Sequence, residues 1–204
     1  KKIFKKKKLI TVNRSKSSTN NIQCDLLDIE SLNKLIKKLK NFKIENMVFS
    51  QRYRGNDNLD EYRLMISSPL HIIESLSKSF TKNASIIFIG SICTDKVALD
   101  QDAHYHSIRH GIVGITKYLA YSLGKKKIRV NMVSTNKILK KENLNFYNIN
   151  KVGRNIKKKH LLKTPIKKML SAKDVANSIK FLTSSDAQNL TGLNMYIDGG
   201  EHLM

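Results

Sequence analysis

The most restrictive feature of this sequence is a strand–helix–strand block in the middle of the chain. An apolar run at residues 85–89 predicts a buried strand that ends in Gly90 and Ser91. About a dozen loop residues follow, and Tyr105 then opens a helical segment that runs to about residue 123. A second strand is predicted at 128–133. We expect the rest of the chain to be arranged around the helix that Tyr105 begins.

The length and composition of the chain favour one globular domain over residues 1–204. A chain of 204 residues can bury a real core, and 40% hydrophobic residues is ordinary for a globular protein. No apolar run approaches the roughly 20 residues that cross a bilayer, and no signal-peptide segment follows the basic N-terminus. The cytoplasm is therefore the expected location.

The residue types that bind metals are not arranged as a metal site. Cys24 and Cys93 lack metal-ligand spacing and any paired pattern, so both are expected to be reduced and inert. His104, His106 and His110 surround Tyr105, but only the last two histidines share a helical face. No carboxylate with suitable spacing follows them, so no metal is expected.

The formal net charge of +22 has two interpretations. Clustered lysines could bind a nucleic acid or another anionic surface, because they release counterions from phosphates. Alternatively, the lysines are spread over solvated faces. The runs at 5–8, 125–127 and 157–159 lie in separate places without interleaved aromatic residues, which favours the second interpretation. This basic protein is therefore not expected to bind nucleic acid.

Three further helical segments are predicted from periodicity and capping. Residues 29–41 have one apolar face, and Asp28 is a suitable N-cap. Residues 57–78 read as a long helix that is broken or bent near Pro69. Ser171 and Asp174 have the spacing of a capping box that opens a helix ending at residue 182.

The central block, together with MYIDGG at 195–200, resembles the short-chain dehydrogenase/reductases. The C-terminal sequence pattern is similar to that of the 3-oxoacyl-carrier-protein reductases. The resemblance covers essentially the whole chain. It implies an α/β fold with a doubly wound, Rossmann-like and mostly parallel sheet. It also implies an oxidoreductase that reduces a carbonyl or oxidises an alcohol with NADP or NAD.

The resemblance assigns chemical roles to three residues. Tyr105 would be the general acid that protonates the carbonyl oxygen, and Ser91 would hold that oxygen by a hydrogen bond. Arg109 stands one helical turn after Tyr105, where the family has lysine. Its charge would favour the ionised phenol, but a permanently protonated guanidinium is a poor proton relay.

The cofactor residues that the resemblance implies are spread along the chain. Arg14 stands where a basic residue commonly meets the 2′-phosphate of NADP, and its alternative is an ordinary loop cation. Asp25, next to Leu26 at the end of a third strand predicted over 22–28, would accept from the adenine amino group. The backbone of Ile138 would pair with the nicotinamide carboxamide.

The first strand and Gly-rich turn of the family pattern do not occur in this sequence, where the first glycine is Gly55. Residues 1–8 resemble the tail of the helix that would follow them, and a strand is predicted at 9–12. Without a first strand, the second and third must dock directly on the fourth, predicted at 44–50, or go unpaired. The chain is thus either truncated or a degenerate member.

Other departures concern the site itself. Gln51 follows the fourth strand where the family has small residues, Met65 stands at the place of a relay asparagine, and Asn136 replaces a glycine. These departures keep open a non-catalytic homologue that acts as a scaffold or partner subunit.

Assembly and the substrate region follow from the resemblance as well. Residues 139–163 correspond to the substrate loop and its small helices. The helices at 57–78 and 105–123 would pair across a symmetric interface, which predicts a homodimer or homotetramer acting on a small carbonyl or alcohol.

Overall fold

The structure is a computed structural model, and it describes residues 9–15, 20–139 and 144–204. Strands and helices alternate along these ranges. The strands are β1 (Thr11–Asn13), β2 (Asn21–Gln23), β3 (Ile44–Phe49), β4 (Phe80–Ser91), β5 (Arg129–Thr135), β6 (Ile138–Leu139), β7 (Leu170–Ser171) and β8 (Asn194–Ile197). The helices are α1 (Ile29–Leu39), α2 (Asn58–Tyr62), α3 (Ser68–Ser75), α4 (Ala103–Gly124), α5 (Leu144–Asn148), α6 (Lys151–Leu162) and α7 (Ala172–Leu182).

The main sheet has the order β3-β4-β5-β8, and every pairing in it is parallel. β1 and β2 form a separate parallel pair, and β6 pairs with β7. Parallel strands joined through helices make an α/β sheet with helices on both faces. The predicted fold class is confirmed.

The central strands β4 and β5 are apolar because both of their faces are covered. Every residue of β5 is buried, and Ile86, Val130 and Met132 have no exposed surface. One side of the sheet packs against α1, α3 and α4 in a large apolar cluster. The other side places Ile87 in a smaller cluster with Leu182 of α7. This burial fixes the strand ends that carry the candidate site.

Helix boundaries follow the capping residues that the sequence predicts. The Asp28 side chain accepts from the Glu30 amide and caps α1, whose buried face is the predicted one. Ser171 and Asp174 form the predicted capping box at the start of α7. α4 begins at Ala103, slightly before the predicted start.

The segment predicted as one bent helix over 57–78 is divided, as expected, but the break lies earlier than Pro69. A π-helical stretch, Arg63–Ser67, separates α2 from α3. Pro69 lies in the first turn of α3, directly after this stretch, and the backbone of Ser67 and Ser68 is helical. The helix ends at Ser75, so residues 76–78 lie outside it.

The prediction of a third strand over 22–28 is wrong in its extent, since β2 ends at Gln23. Beyond it, the Asp25 carboxylate accepts from the Leu27 amide, which closes a turn instead of continuing a strand. The strand predicted over 9–12 is displaced to β1. Within the described ranges neither strand pairs with β3. Instead, β1 and β2 pair with each other. The predicted helix tail at 1–8 lies outside the described residues.

The predicted substrate loop contains two helices, α5 and α6, that pack as a hairpin. Residues 140–143 of this region lie outside the described ranges. In the part of the chain that the structure describes, no helix combines the length and apolar character needed to span a membrane.

Candidate active site

Ser91 is the last residue of β4 and is 9% exposed. Its side-chain oxygen accepts from the Cys93 amide at 3.2 Å, and its carbonyl accepts from the Thr94 hydroxyl at 3.0 Å. Both contacts fix the short 3₁₀ turn, Ile92–Thr94, that follows the strand. Within residues 9–15, 20–139 and 144–204 the Ser91 hydroxyl donates to no other group, and it lies at the carboxyl edge of the sheet, where α/β folds bind ligands.

Tyr105 lies in the first turn of α4 and is half-buried. The Asp102 carboxylate caps this helix by accepting from the Tyr105 amide at 2.6 Å. His106, the next residue, accepts from the Ala98 amide at 3.1 Å and so ties the preceding loop to the helix. Within the described ranges the Tyr105 hydroxyl makes no hydrogen bond, so its proton is not committed to another protein group.

Arg109 lies one turn after Tyr105 on the same face, as predicted. Its guanidinium carbon is 4.3 Å from the centroid of the Tyr105 ring, in a cation–π contact. A terminal nitrogen lies 3.5 Å from a carboxylate oxygen of Glu61 in α2, and both side chains are largely buried. The Nε of Arg109 is buried without a hydrogen-bond partner in the described ranges.

Glu61 was not among the residues singled out from the sequence. It is one of several carboxylates near the start of a helix, and no local pattern distinguishes it from Asp60. Its partner Arg109 lies 48 positions away, so only the folded arrangement brings the two together.

A cluster of hydrogen-bonded side chains packs next to the turn that follows Ser91. The hydroxyls of Thr94 and Tyr196 are 2.9 Å apart, and Asn194 donates to Tyr196 at 2.7 Å. Asn194 in turn accepts from the Ser134 hydroxyl at 2.7 Å. Burial raises the pKa of Tyr196, which favours the protonated phenol in this cluster. The cluster joins the ends of β4, β5 and β8.

The Asp-Gly-Gly signature forms a tight turn after β8. One carboxylate oxygen of Asp198 accepts from the Gly200 amide at 3.0 Å, and the other accepts from the His202 amide at 2.6 Å. Gly199 and Gly200 have φ values of 70° and 84°, which only glycine adopts readily. The two glycines of the signature are thus required by the positive φ angles of the turn, and the aspartate is required to accept from its amides.

Asn136 occupies the position of the family's glycine and serves as a tether. Its amide nitrogen donates to Glu201 at 2.9 Å, and Glu201 also lies 3.5 Å from His160 of α6 and 3.6 Å from Lys96. Burial lowers the pKa of His160, although Glu201 opposes this effect. The cluster attaches α6 to the ends of the central strands.

The predicted cofactor residues are carried by other elements than Ser91, Tyr105 and Arg109, hereafter the candidate triad. Arg14 is exposed at the carboxyl end of β1. Asp25 and Leu26 follow β2, and the Leu26 carbonyl accepts from Ser68 of α3 at 2.7 Å. Ile138 belongs to β6, where it pairs with Leu170. In the described part of the chain, no hydrogen bond joins these residues to the candidate triad.

The bulky residues at the end of β3 and in the positions that depart from the family pattern are engaged with other parts of the protein. Phe49 is buried and stacks on Phe88, with ring centroids 5.1 Å apart. Gln51 donates to the Leu64 carbonyl of the π-helical stretch at 3.2 Å. Met65, at the relay position, is 3% exposed and packs in the core. The expected relay asparagine therefore has an apolar residue in its place.

No group of three or more His, Cys, Asp or Glu side chains is arranged for a metal ion in the described ranges. His106 and His110 each bond instead to a helix carbonyl one turn earlier, at 2.8 and 2.9 Å. Cys24 and Cys93 are buried free thiols, and burial raises the pKa of Cys24.

Comparison with known proteins adds the family. Residues 56–202 match the family model adh_short_C2, described as enoyl-(acyl carrier protein) reductase. This match spans the candidate triad, β8 and the Asp-Gly-Gly turn. The chain belongs to the short-chain dehydrogenase/reductase family.

Curated relatives of this short-chain dehydrogenase/reductase include a 3-oxoacyl-[acyl-carrier-protein] reductase of Buchnera aphidicola subsp. Schizaphis graminum. It is 27% identical over 195 residues, which cover 88% of this chain and 76% of the relative. A (+)-borneol dehydrogenase of Salvia officinalis is 36% identical over 59% of this chain and 45% of its own length.

Solved structures share the fold of this family member. A short-chain dehydrogenase family protein from Francisella tularensis superposes with a TM-score of 0.81 at 24% identity, over 96% of this chain and 88% of that one. A 4-hydroxyisoleucine dehydrogenase mutant complexed with NADH and succinate has a TM-score of 0.84 at 20% identity, over 99% of this chain and 91% of its own. These likenesses confirm the doubly wound architecture.

Proposed function

We propose that this chain is a nicotinamide-dependent oxidoreductase that interconverts a carbonyl compound and its alcohol. The observation that carries the proposal is the placement of Tyr105 in the first turn of α4, with its ring against the Arg109 guanidinium and its hydroxyl without a hydrogen-bond partner in the described part of the chain. A family member that retains a phenol in this setting retains the proton donor for carbonyl reduction.

Ser91 and Tyr105 have complementary roles in this proposal. The Ser91 hydroxyl, held in place through Cys93 and Thr94, donates a hydrogen bond to the substrate oxygen. The Tyr105 hydroxyl transfers its proton to that oxygen as the carbonyl carbon is reduced. In the reverse direction the phenolate takes the proton back from the alcohol.

Arg109 supplies positive charge next to the phenol throughout this cycle. The cation favours the phenolate that remains after proton transfer. Glu61 holds the guanidinium in a largely buried ion pair and so restricts its orientation. Because a guanidinium remains protonated, Arg109 stabilises charge and does not relay the proton.

The residues present fit a nicotinamide cofactor at the end that faces the candidate triad. The buried Nε of Arg109 has no protein partner in the described ranges, and a hydroxyl of a bound ribose is the kind of group that would satisfy it. In this proposal the backbone of Ile138, beside its pairing with Leu170, would contact the carboxamide, Asp25 and Leu26 would border the adenine, and Arg14 would favour the 2′-phosphate of NADP. The bound nicotinamide would supply or accept the hydride.

A homodimer or homotetramer is part of the proposal. Tyr118 and Tyr121 on α4 are 67% and 85% exposed, which leaves two large aromatic side chains on an outward helix face. Aromatic residues of this kind are enriched at protein interfaces. A cytoplasmic location and a small carbonyl or alcohol substrate remain expectations.

The test is a titration of the full chain with NADPH and NADH, followed by nicotinamide fluorescence. Saturable binding of either nucleotide is the expected result. Arg14→Gln should weaken NADPH binding and leave NADH binding unchanged, whereas Arg63→Gln, which changes an exposed arginine of the π-helical stretch, should affect neither. Absence of binding by both nucleotides would overturn the proposal and support the non-catalytic homologue.

A further inference from the structure

A cavity of about 360 Å³ lies on the α5–α6 hairpin, and none of its lining residues belongs to the candidate triad. Its apolar surface comes from Tyr147, Leu161 and Leu162. Tyr147 is only 8% exposed, whereas Leu162 is 61% exposed at the rim. The volume is within the range of small-ligand pockets. We refer to this cavity as the hairpin pocket.

The hairpin pocket has a defined shape because the two helices are packed closely. A Cβ added at Gly153 of α6 would lie 1.9 Å from the Phe146 carbonyl oxygen of α5, so only glycine permits this approach. Asn150 caps α6 by accepting from the Val152 and Gly153 amides. The opposite side of α6 is anchored through His160 and Glu201.

Four cations surround the apolar surface of the pocket: Arg154, Lys157, Lys158 and Lys167. Lys157 donates to Asn148 at 2.9 Å and Lys167 donates to the Leu162 carbonyl at 3.2 Å. Within the described ranges none of the four forms an ion pair with a carboxylate. The sequence between residues 137 and 168 contains a single acidic residue, Glu142, which lies outside those ranges.

These four cations line a concave surface whose other lining residues include apolar side chains. Arg154, Lys158 and Lys167 are exposed and Lys157 is half-buried, so their charges are accessible to a ligand that enters the pocket from solvent. Adjacent like charges on α6 also repel one another, and this repulsion is relieved when an anion binds. Charge and shape together therefore specify a ligand with an anionic head and an apolar chain.

We propose that the hairpin pocket binds one anionic amphiphile, a single alkyl or acyl chain that ends in a phosphate or carboxylate. The chain lies on Tyr147 and Leu161, where it leaves water. The head group is held by Arg154 and Lys157 through charge-assisted hydrogen bonds. These residues lie within the predicted substrate loop, 139–163, but none belongs to the candidate triad or to the predicted cofactor residues, so binding here is measured separately from nucleotide binding.

The test is calorimetric titration of the full chain with dodecyl phosphate, kept below its micelle concentration. We expect one molecule bound per chain and weaker binding as salt is added. Dodecyl maltoside keeps the chain without the charge, and inorganic phosphate keeps the charge without the chain. Both should bind at least about tenfold more weakly than dodecyl phosphate. Dodecanoate in place of dodecyl phosphate compares the two head groups, and failure of both amphiphiles to bind overturns the proposal.

The double variant Arg154→Gln, Lys157→Gln should lose affinity for dodecyl phosphate by about tenfold or more. The matched control, Lys37→Gln with Lys38→Gln on α1, removes the same charge from another exposed helix and should not change the affinity. Equal losses in both variants, equal binding of the neutral detergent or of phosphate, or several molecules bound per chain would each overturn the proposal. These ligand comparisons decide the matter even if the double variant does not fold.

Discussion

The guanidinium of Arg109 is held between the ring of Tyr105, 4.3 Å from its centroid, and the carboxylate of Glu61, at 3.5 Å. This arrangement places a permanent charge against the face of the phenol whose proton is proposed to be transferred. It also commits part of that charge to a carboxylate. The first two predictions follow from these contacts.

Tyr105→Phe should reduce turnover by roughly a hundredfold or more, because it removes the proton donor and leaves the ring and its contact with Arg109 in place. The measurement is the rate of NADPH oxidation with an acetoacetyl thioester as the carbonyl probe. Nucleotide binding by fluorescence should be unchanged. Turnover in the variant close to that of the wild type would exclude Tyr105 as the proton donor.

Arg109→Lys should raise turnover about tenfold, because a compact ammonium can leave the ring face and approach the reacting groups, unlike a planar guanidinium in an ion pair. The same NADPH assay applies. Arg63→Lys, a matched change at an exposed arginine, should have no effect. If Arg109→Lys binds nucleotide but turns over no faster than the wild type, arginine is not the weak point of the site.

Stability should fall as the pH drops below the ordinary value of 6.5 for histidine, because burial lowers the pKa of His160 in the folded chain. The unfolded chain binds the proton first, so the contribution of neutral His160 is complete above this value and is lost as pH falls through the folded pKa. Thermal unfolding between about pH 7.5 and about pH 5.5 measures this effect. The fall in Tm should be smaller in His160→Gln, and an equal fall in both proteins would contradict the prediction.

Ser171→Ala should lower the free energy of unfolding by about 1 kcal/mol, because it removes the hydroxyl from the capping box of α7. The Ser171 hydroxyl and amide also lower the pKa of Asp174, so this pKa should rise toward 3.8 in the variant. Denaturant unfolding and carboxyl titration by NMR provide the two measurements. Ser171→Thr, which keeps the hydroxyl, should lose little, and an equal loss in both variants would indicate a cause other than the cap.

Gly153→Ala should lower the free energy of unfolding by roughly 1–3 kcal/mol, even though alanine is the better helix former, because the added Cβ meets the Phe146 carbonyl. The control is Gly124→Ala at the end of α4, where an added Cβ meets nothing within 4 Å. Denaturant unfolding should show little change for the control. A stabilised Gly153→Ala would show that the two helices are not closely packed.

Much of the architecture was predictable because it depends on near neighbours. The apolar run of β4, the amphipathic face of α1 and the caps at Asp28 and Ser171 each involve residues a few positions apart. The order of elements then indicated a parallel sheet. The spacing of Tyr105 and Arg109 likewise implied that they share a helical face, and the structure has them in contact.

Boundaries set by side chains in turns were harder to predict. β2 ends early because the Asp25 carboxylate competes for a backbone amide that a strand would need elsewhere. The helical segment that contains Pro69 changes to π-helical geometry over Arg63–Ser67, a few residues before the proline. Neither choice is visible as an apolar period in the sequence.

The sequence by itself determined the alternation of strands and helices, the capping residues and the set of chemical groups placed at the mouth of α4. Only the tertiary structure decided that Glu61 pairs with Arg109, that Asn136 and His160 meet at Glu201, and that the α5–α6 hairpin encloses a pocket. The physical reason is the distance along the chain over which each interaction acts. Periodicity and capping act within a turn or two of chain, whereas ion pairs and cavities depend on segments that become neighbours only after the core has packed.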